Sequence, residues 1–315
     1  MANIIIKPKD RREWLKHRQS GIGSSEVATI LGLNPFETPY QLWRRKKGID
    51  APVEENFAMR RGHYLEDAVA QYFSDATGNE IIKASAGDWL IINKAKEYMR
   101  VSPDRTYWLL NMTRNNKNKG IVECKTTQKE VDADNLPIHW FCQLQYQLGV
   151  AELEQGALSW LSLKRGEFGY QDINFDADFF AYEEEEVTRF WVDNILGNQE
   201  PIAMRVEDVL LKSPQHVIGK AVTADIDLVD AIAHIKEYNA EIKAYEGKKK
   251  ELEDMIKLSM GDAEAMVTPT ADILCTWKTS KDSSKFDEKR FASEHPELYE
   301  QYQVMRPGSR RFNIK

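Results

Sequence analysis

The stretch RVSPDRTYWLLNMTRNNKNKGIVECKTT, residues 100–127, decides how this chain is read. Within it YMRVSPD (starting two residues upstream), TYWLLN and GIVECKTT read as short β runs, rich in β-branched and aromatic residues. Side chains alternate along a strand, so Glu123 and Lys125 project to one side while Val122, Cys124 and Thr126 project to the other. Burying either charge alone costs several kcal/mol. A divalent cation removes that cost. Asp104, following Pro103 in the adjacent strand, and Glu123 supply the hard oxygen ligands Mg²⁺ prefers, and the Cys124 carbonyl supplies a third. Lys125 then stands beside the attacking water, orienting it and holding it as hydroxide, while the metal stabilises charge building on phosphate oxygens. Two carboxylates and a lysine are the inventory that phosphodiester hydrolysis needs. The plain alternative is a surface hairpin with a harmless Glu–Lys alternation, and the nearby Pro103–Asp104 pair argues against it.

Working outward, RREWLKHRQ reads as a helix, SGIGSS as a pause and SEVATILGL as a second helix, with Ser24 or Ser25 as its N-cap and Glu26 in its first turn. A Gly-Ile-Gly-Ser-Ser turn exposes unpaired N–H groups suited to a phosphate, and Arg18 can add a bidentate grip. TPYQLWRRKKG reads as a helix closed by Gly48. NFAMRRGHYLEDAVAQYFSDATG reads as a long amphipathic helix or helix pair with Leu65, Val69 and Tyr72/Phe73 on one face. EIIKAS and WLIIN are further β runs. Downstream, NLPIHWFCQLQYQLGVAEL returns to helix, GALSWLSLKRG and FGYQDINF form a hairpin, and DADFFAYEEEEVTRFWVDNILG is a helix capped by Asp176 or Asp178 and stopped by Gly197. The expected class is α/β, a mixed sheet with helices on its faces. Residues 1–205 form the catalytic domain in this reading and residues 206–265 a helical segment. Residues 266–315 make a small α/β cap. The charged stretch 224–260 is an arm, a hairpin split at Gly247, or a coiled coil.

Composition narrows the function classes. The 315 residues carry a net charge of −7, which argues against whole-surface attraction to nucleic acid. Basic residues nevertheless bunch at 7–18, 44–47, 114–119 and 306–315, while EEEE at 183–186 gathers acid elsewhere. Each run alone reads as a solvated face, but several flanking one acidic site make a track for phosphates. No run is long and apolar enough for a membrane span, and the amino-terminal apolar patch is too short for a secretory leader. Three dispersed cysteines favour neither a disulfide framework nor a zinc or iron–sulfur site, which fits a reducing cytoplasm. His63 receives no chemistry. The aromatics from Trp140 to Tyr146, with Trp14, Leu42 and Trp43, read as packing, although one of the last three has the shape to wedge open a DNA end.

PD followed by ECK resembles the PD-(D/E)xK nucleases, and the wider arrangement is similar to the branch containing phage lambda exonuclease and the YqaJ-type viral recombinases. WLKHRQSGIGSSEVATILG, RRGHYLEDAV, VSPDR, VECK and FCQLQYQL occur in that order over roughly residues 11–195. The resemblance implies a restriction-endonuclease-like sheet. It implies that Asp104 and Glu123 ligate metal with the Cys124 carbonyl, that Lys125 is the catalytic lysine, and that Glu66 is an additional acid bound directly or through water. Gln143 supports the site, with Gln145 and Tyr146 behind it, and Arg18, Ser24, Ser25 and Ser102 meet the terminal 5′-phosphate. It further implies two Mg²⁺ ions (Mn²⁺ substituting), 5′→3′ digestion of one strand of linear duplex DNA and 3′ single-stranded tails. A ring-shaped homo-oligomer, commonly a trimer, a single-strand annealing protein as partner, and a phage or prophage setting in a bacterial cytoplasm complete the expectation. Arg105 departs from the pattern, where the family often has glycine. Two other readings stand beside this one: an endonuclease on the same core, which would cut closed circles, and a DNA-end-binding scaffold, which would bind neither Mg²⁺ nor Mn²⁺.

Overall fold

The computed structural model describes residues 3–51, 53–82, 89–115, 117–306 and 308–315, apart from the side chain of Arg11. The chain divides into two compact units, Met1–Lys212 and Ser213–Lys315. The first opens with β1 (Ile4–Ile6), α1 (Arg11–Gln19), β2 (Ile22–Gly23), α2 (Ser24–Ile30) and α3 (Pro39–Lys46). A long α4 (Phe57–Thr77) leads into β3 (Ile81–Ile82), β4 (Leu90–Ile92), β5 (Met99–Val101), β6 (Arg105–Trp108) and β7 (Lys119–Thr127). Then come α5 (Ile138–Ala151), the hairpin β8 (Gln155–Ser162) and β9 (Glu167–Asn174), α6 (Ala177–Arg189), a π-helical stretch Phe190–Leu196, and α7 (Val206–Lys212). The EIIKAS run is a strand at Ile81–Ile82; its residues 83–85 lie outside the described residues.

The sheet that matters is five-stranded, in the order β3-β6-β7-β8-β9. Among the described residues of this sheet only β7 and β8 run parallel, and α5 is the crossover that parallel pairing requires. A four-stranded sheet, β1-β4-β5-β2, lies in the same unit. The class is therefore the mixed α/β arrangement that the alternation of elements suggested. Strand β7 is covered on both faces. Val122 packs with Phe73 of α4, Tyr107 and Ala157, while Ile121 packs with Leu144 and Leu148 of α5 and with Leu158. At Gly149 a Cβ would meet the Phe180 ring at 2.2 Å, so α6 rests directly on the α5 backbone. Helix α4 starts at Asn56, whose side chain accepts from the Met59 N–H, and ends at Gly78, whose φ of 74° suits a residue without a Cβ.

Three sequence readings change. The N-cap of α2 is Gly23, and Ser24 and Ser25 sit inside the first turn. With no side chain at the cap, Glu26 alone closes it, its Oε2 accepting from the Gly23 N–H at 2.9 Å. Residues 206–212 belong with the first unit: the fully buried Asp208 carboxylate accepts from Thr38 Oγ1 at 2.7 Å and from the Met204 N–H at 2.9 Å. The EEEE run is not wholly a solvated face, because Glu183 is fully buried with neither carboxylate oxygen partnered. Burial pushes its carboxyl up to about 9. A carboxyl raised from 4.5 to about 9 keeps its proton in the folded state, so it lowers stability progressively as pH rises through that window. Glu183→Leu is accordingly expected to stabilise the protein by about 3 kcal/mol near pH 7 and by little at pH 4.5. Denaturant melts at the two pH values check this; equal shifts would refute it.

The second unit contains α8 (Ile226–Met260), the antiparallel pair β10 (Ala265–Val267) and β11 (Ile273–Thr276), and the short helices α9 (Glu288–Glu294) and α10 (Pro296–Gln301). Helix α8 starts at Asp225, which accepts from the Leu228 N–H, and runs unbroken through Gly247, so the segment is not a hairpin.

Candidate active site

Three elements bring the predicted acids together: the segment joining β5 to β6 carries Asp104, β7 carries Glu123 and Lys125, and α4 carries Glu66. Pairing of β6 with β7, Arg105 opposite Val122, sets Asp104 beside the middle of β7. There its Oδ2 accepts from the Cys124 N–H at 2.8 Å. The Cys124 thiol packs on the opposite face, toward the α4 cluster. Glu123 is 2% exposed and fully engaged: Oε1 accepts from Lys125 Nζ at 2.7 Å and from Gln143 Nε2 at 2.5 Å, and Oε2 from Gln147 Nε2 at 2.8 Å. Lys125 Nζ also donates to Gln143 Oε1 at 2.8 Å. Acid, lysine and glutamine thus form a closed triangle.

Arg105 explains its own departure from the family pattern. Its guanidinium pairs with Glu66 at 2.5 Å and with Asp67 at 2.7 Å and also donates to the Asp104 carbonyl, so it ties α4 to the Asp104 turn. The electrostatics show what the cluster lacks. Burial first, then the charges of Glu123 and Glu66, holds the Asp104 carboxyl well above its ordinary value, against the opposing pull of Lys125 and the Cys124 amide. Burial likewise raises Glu66, against Arg105. Burial lowers Lys125, but Glu123 and Asp104 outweigh it and the ammonium is favoured. Among the described residues no three His, Cys, Asp or Glu side chains are already drawn together as an ion cage. The donors are all hard oxygens with surplus negative charge, which is the chemistry that suits Mg²⁺ or Mn²⁺.

A cavity of about 410 Å³ has both Asp104, Glu66 and Gln143 of this cluster and the predicted phosphate residues Arg18, Ser24, Ser25 and Ser102 in its wall. Arg18 lies 4.8 Å over the Trp14 ring and donates to Ser25 Oγ at 2.7 Å. His63 lines the same cavity, bonded through Nδ1 to Glu55 at 2.8 Å. Gln145 and Tyr146 do not reach it. Both are fully buried; Gln145 bonds the Asn174 carbonyl and the Asp176 N–H, and Tyr146 packs among Ile22, Tyr40 and Val187. Gln145, two positions after Gln143, lies on the other side of the helix, Tyr146 is taken up by the core of Ile22, Tyr40 and Val187, and Gln147, four positions on, returns to Glu123.

Gln147 was not anticipated, although its four-residue spacing from Gln143 was a readable signal. It is fully buried and bridges Glu123 to Ser24 Oγ, 3.2 Å away. Gln147→Leu keeps the volume but leaves a Glu123 oxygen unpartnered. A loss of stability of about 1–3 kcal/mol is therefore expected, measured by chemical denaturation. Also unforeseen is a buried ionic post beneath Arg18. Glu26 meets Lys46 at 2.8 Å, Arg45 at 3.1 Å and Arg18 at 4.0 Å, and Lys46 Nζ additionally donates to the carbonyls of Arg18 and Gly21. The RRKK run that read as solvated therefore contributes a buried lysine.

The YqaJ-like viral recombinase domain matches residues 13–154, a span that holds Arg18, Glu66, Asp104, Glu123, Lys125 and Gln143. The YqaJ protein of Bacillus subtilis strain 168 is 31% identical over 331 aligned positions, covering 100% of this chain and 98% of that protein. Protein R354 of Acanthamoeba polyphaga mimivirus is 22% identical over 46% of this chain and 27% of its own. Among solved structures, the alkaline exonuclease LHK-Exo from Laribacter hongkongensis is 19% identical with a TM-score of 0.47, over 64% of this chain and 96% of that one. A phage-related exonuclease from Haemophilus somnus 129PT is 10% identical with a TM-score of 0.40, over 56% and 96%. Matched along its whole length to YqaJ, and over residues 13–154 to the domain itself, the chain belongs to the YqaJ-like viral recombinase family.

Proposed function

We propose that this protein is a recombination nuclease: a Mg²⁺-dependent deoxyribonuclease that digests one strand of linear duplex DNA from its 5′ end and leaves a 3′ single-stranded tail. The observation that carries this reading is the single cavity with an acid cluster and an arginine–serine cluster in its wall. Asp104 and Glu123, with Glu66 and the Cys124 carbonyl, would hold one or two Mg²⁺ ions, with Mn²⁺ as substitute. When bound, such ions supply Lewis-acid stabilisation of phosphate charge and lower the pKa of water. The chain's own groups do the rest. Arg18, Ser25 and Ser102 receive the terminal 5′-phosphate and so register the first internal linkage beside Asp104. The Lys125 ammonium, oriented by Gln143 and Glu123, directs the attacking water. After each cut a new 5′-phosphate is drawn into the arginine end, which gives direction.

Digestion of end-labelled linear duplex, with and without a 5′-phosphate and beside covalently closed circles, tests the reading. Metal-dependent release from 5′ ends alone supports it, cutting of circles favours the endonuclease, and failure to bind metal with the fold intact favours the scaffold. Arg18→Ala is expected to slow digestion of 5′-phosphorylated ends by roughly 10- to 100-fold, the value of one or two hydrogen bonds to a charged group, while leaving 5′-hydroxyl ends almost unaffected. The family setting extends the proposal to a ring-shaped homo-oligomer, a single-strand annealing partner and a bacterial host cytoplasm. Among the described residues no helix is long and apolar enough to cross a membrane.

A further inference from the structure

Helix α8 carries a seam that a straight-helix reading hides. Counted in sevens, Leu228, Ile235, Ile242, Lys249 and Ile256 occupy one set of positions. Three residues after each of the first four stand Ala231, Tyr238, Tyr245 and Leu252. The spacing alternates three and four without a break, which is the repeat of a coiled coil. A straight helix drifts about 20° per heptad from that repeat, so over 35 residues the stripe winds around the surface and looks irregular. The seam is open: Leu228, Tyr238, Ile242, Tyr245 and Leu252 are 55–68% exposed. Gly247 falls on the side away from the seam, where a missing side chain costs no contact.

We propose that α8 pairs with α8 of a second copy of this chain as an antiparallel two-stranded coiled coil. The register selects the occupant. Turned about a two-fold axis at Ala240, Leu228 faces the partner's Leu252, Ile235 the partner's Tyr245, and Ile242 the partner's Tyr238. Lys249 then faces the partner's Ala231, the smallest residue of the seam, which leaves room for its stem. Its Nζ already leans to Glu253 on the helix flank, 3.6 Å away, so the charge exits the seam. A parallel, in-register pair would instead set Lys249 against the partner's Lys249 inside an apolar interface. The area also suffices. On the order of 100 Å² from each of the six large paired side chains gives about 1,200 Å² over both copies, at the lower end of the range of stable interfaces. No residue of the cavity takes part, so the pairing stands or falls apart from the nuclease reading.

Sedimentation equilibrium of the full chain at micromolar concentration tests this. Ile242→Asp is expected to reduce the particle to the mass that the first unit alone sets, one half if that unit is monomeric, whereas Ala240→Asp, on the outer face, leaves it unchanged; circular dichroism checks that both variants fold. Leu228→Cys chains mixed with Leu252→Cys chains are expected to form a disulfide-linked dimer under mild oxidation that neither forms alone, read against the unsubstituted chain. An unsubstituted chain that is monomeric, or an Ile242→Asp particle of undiminished mass, overturns the pairing. Leu228→Cys chains that link to themselves overturn the antiparallel register.

Discussion

Asp104→Asn is expected to reduce digestion of linear duplex DNA by about three orders of magnitude or more while DNA-end binding survives. The substitution is nearly isosteric, and an amide oxygen can still accept from the Cys124 N–H, so the turn between β5 and β6 keeps its anchor on β7. What disappears is the negative charge that burial and two neighbouring carboxylates make so costly to hold in the free protein. A rate loss of that size corresponds to about 4 kcal/mol of transition-state stabilisation. Lys125→Ala has the same expected direction by a different route, since it also removes the donor shared by Glu123 and Gln143. Single-turnover digestion, run beside a gel-shift assay on duplex ends, separates the two quantities. Undiminished digestion by Asp104→Asn would remove this residue from the chemistry.

Glu26→Ala is expected to cost about 3–5 kcal/mol of stability, because it strands Lys46 as a buried, uncompensated cation. Burial alone would raise the Glu26 carboxyl, yet Lys46, Arg18 and Arg45 together pull it down to about 2. Burial leaves Lys46 below the ordinary lysine value even with Glu26 beside it, so each charge is tolerable only through the other. In a chain with a first unit of this size, that loss lowers the melting temperature by roughly 10 °C. A carboxyl depressed from 4.5 to about 2 contributes fully above pH 4.5 and progressively less as pH falls toward 2. The native protein should therefore lose stability on acidification through that window, and Glu26→Ala should lose less there. Thermal melts from pH 7 to pH 3 check both statements, and parallel curves for the two proteins would contradict them.

Most of the site could be read from the sequence because its logic is short-range. Strand alternation put Glu123 and Lys125 on one face, and Pro103–Asp104 lay in the next strand over. The amino-terminal arginine and serines were placed by resemblance, and the cavity holds them beside the acids. Readings failed where meaning depended on a partner far along the chain. Arg105 looked like a mere departure until α4 supplied Glu66 and Asp67. Lys46 and Glu183 sat in runs that composition assigns to solvent, and only packing against other elements takes them inside. Gln145 and Tyr146 were carried along with Gln143 by adjacency, whereas core packing holds both of them away and Gln147, four residues on from Gln143, meets Glu123. For residues 224–260 the sequence left an arm, a hairpin and a coiled coil open, and the unbroken helix Ile226–Met260 removes the hairpin.

Strand β7 has a neighbour on each edge, Val122 standing opposite Arg105 on one side and Ala157 on the other. That double clamp divides this region into tolerant and intolerant positions. Extra residues at the exposed positions 110–115 only lengthen a surface excursion. A single residue inserted between Gly120 and Glu123 would invert every later side chain of the strand, sending the carboxylate and the ammonium toward Phe73 and turning apolar neighbours toward Gln143. Chains built on this strand are free to differ widely in how they arrive at it, but not in the count of residues along it.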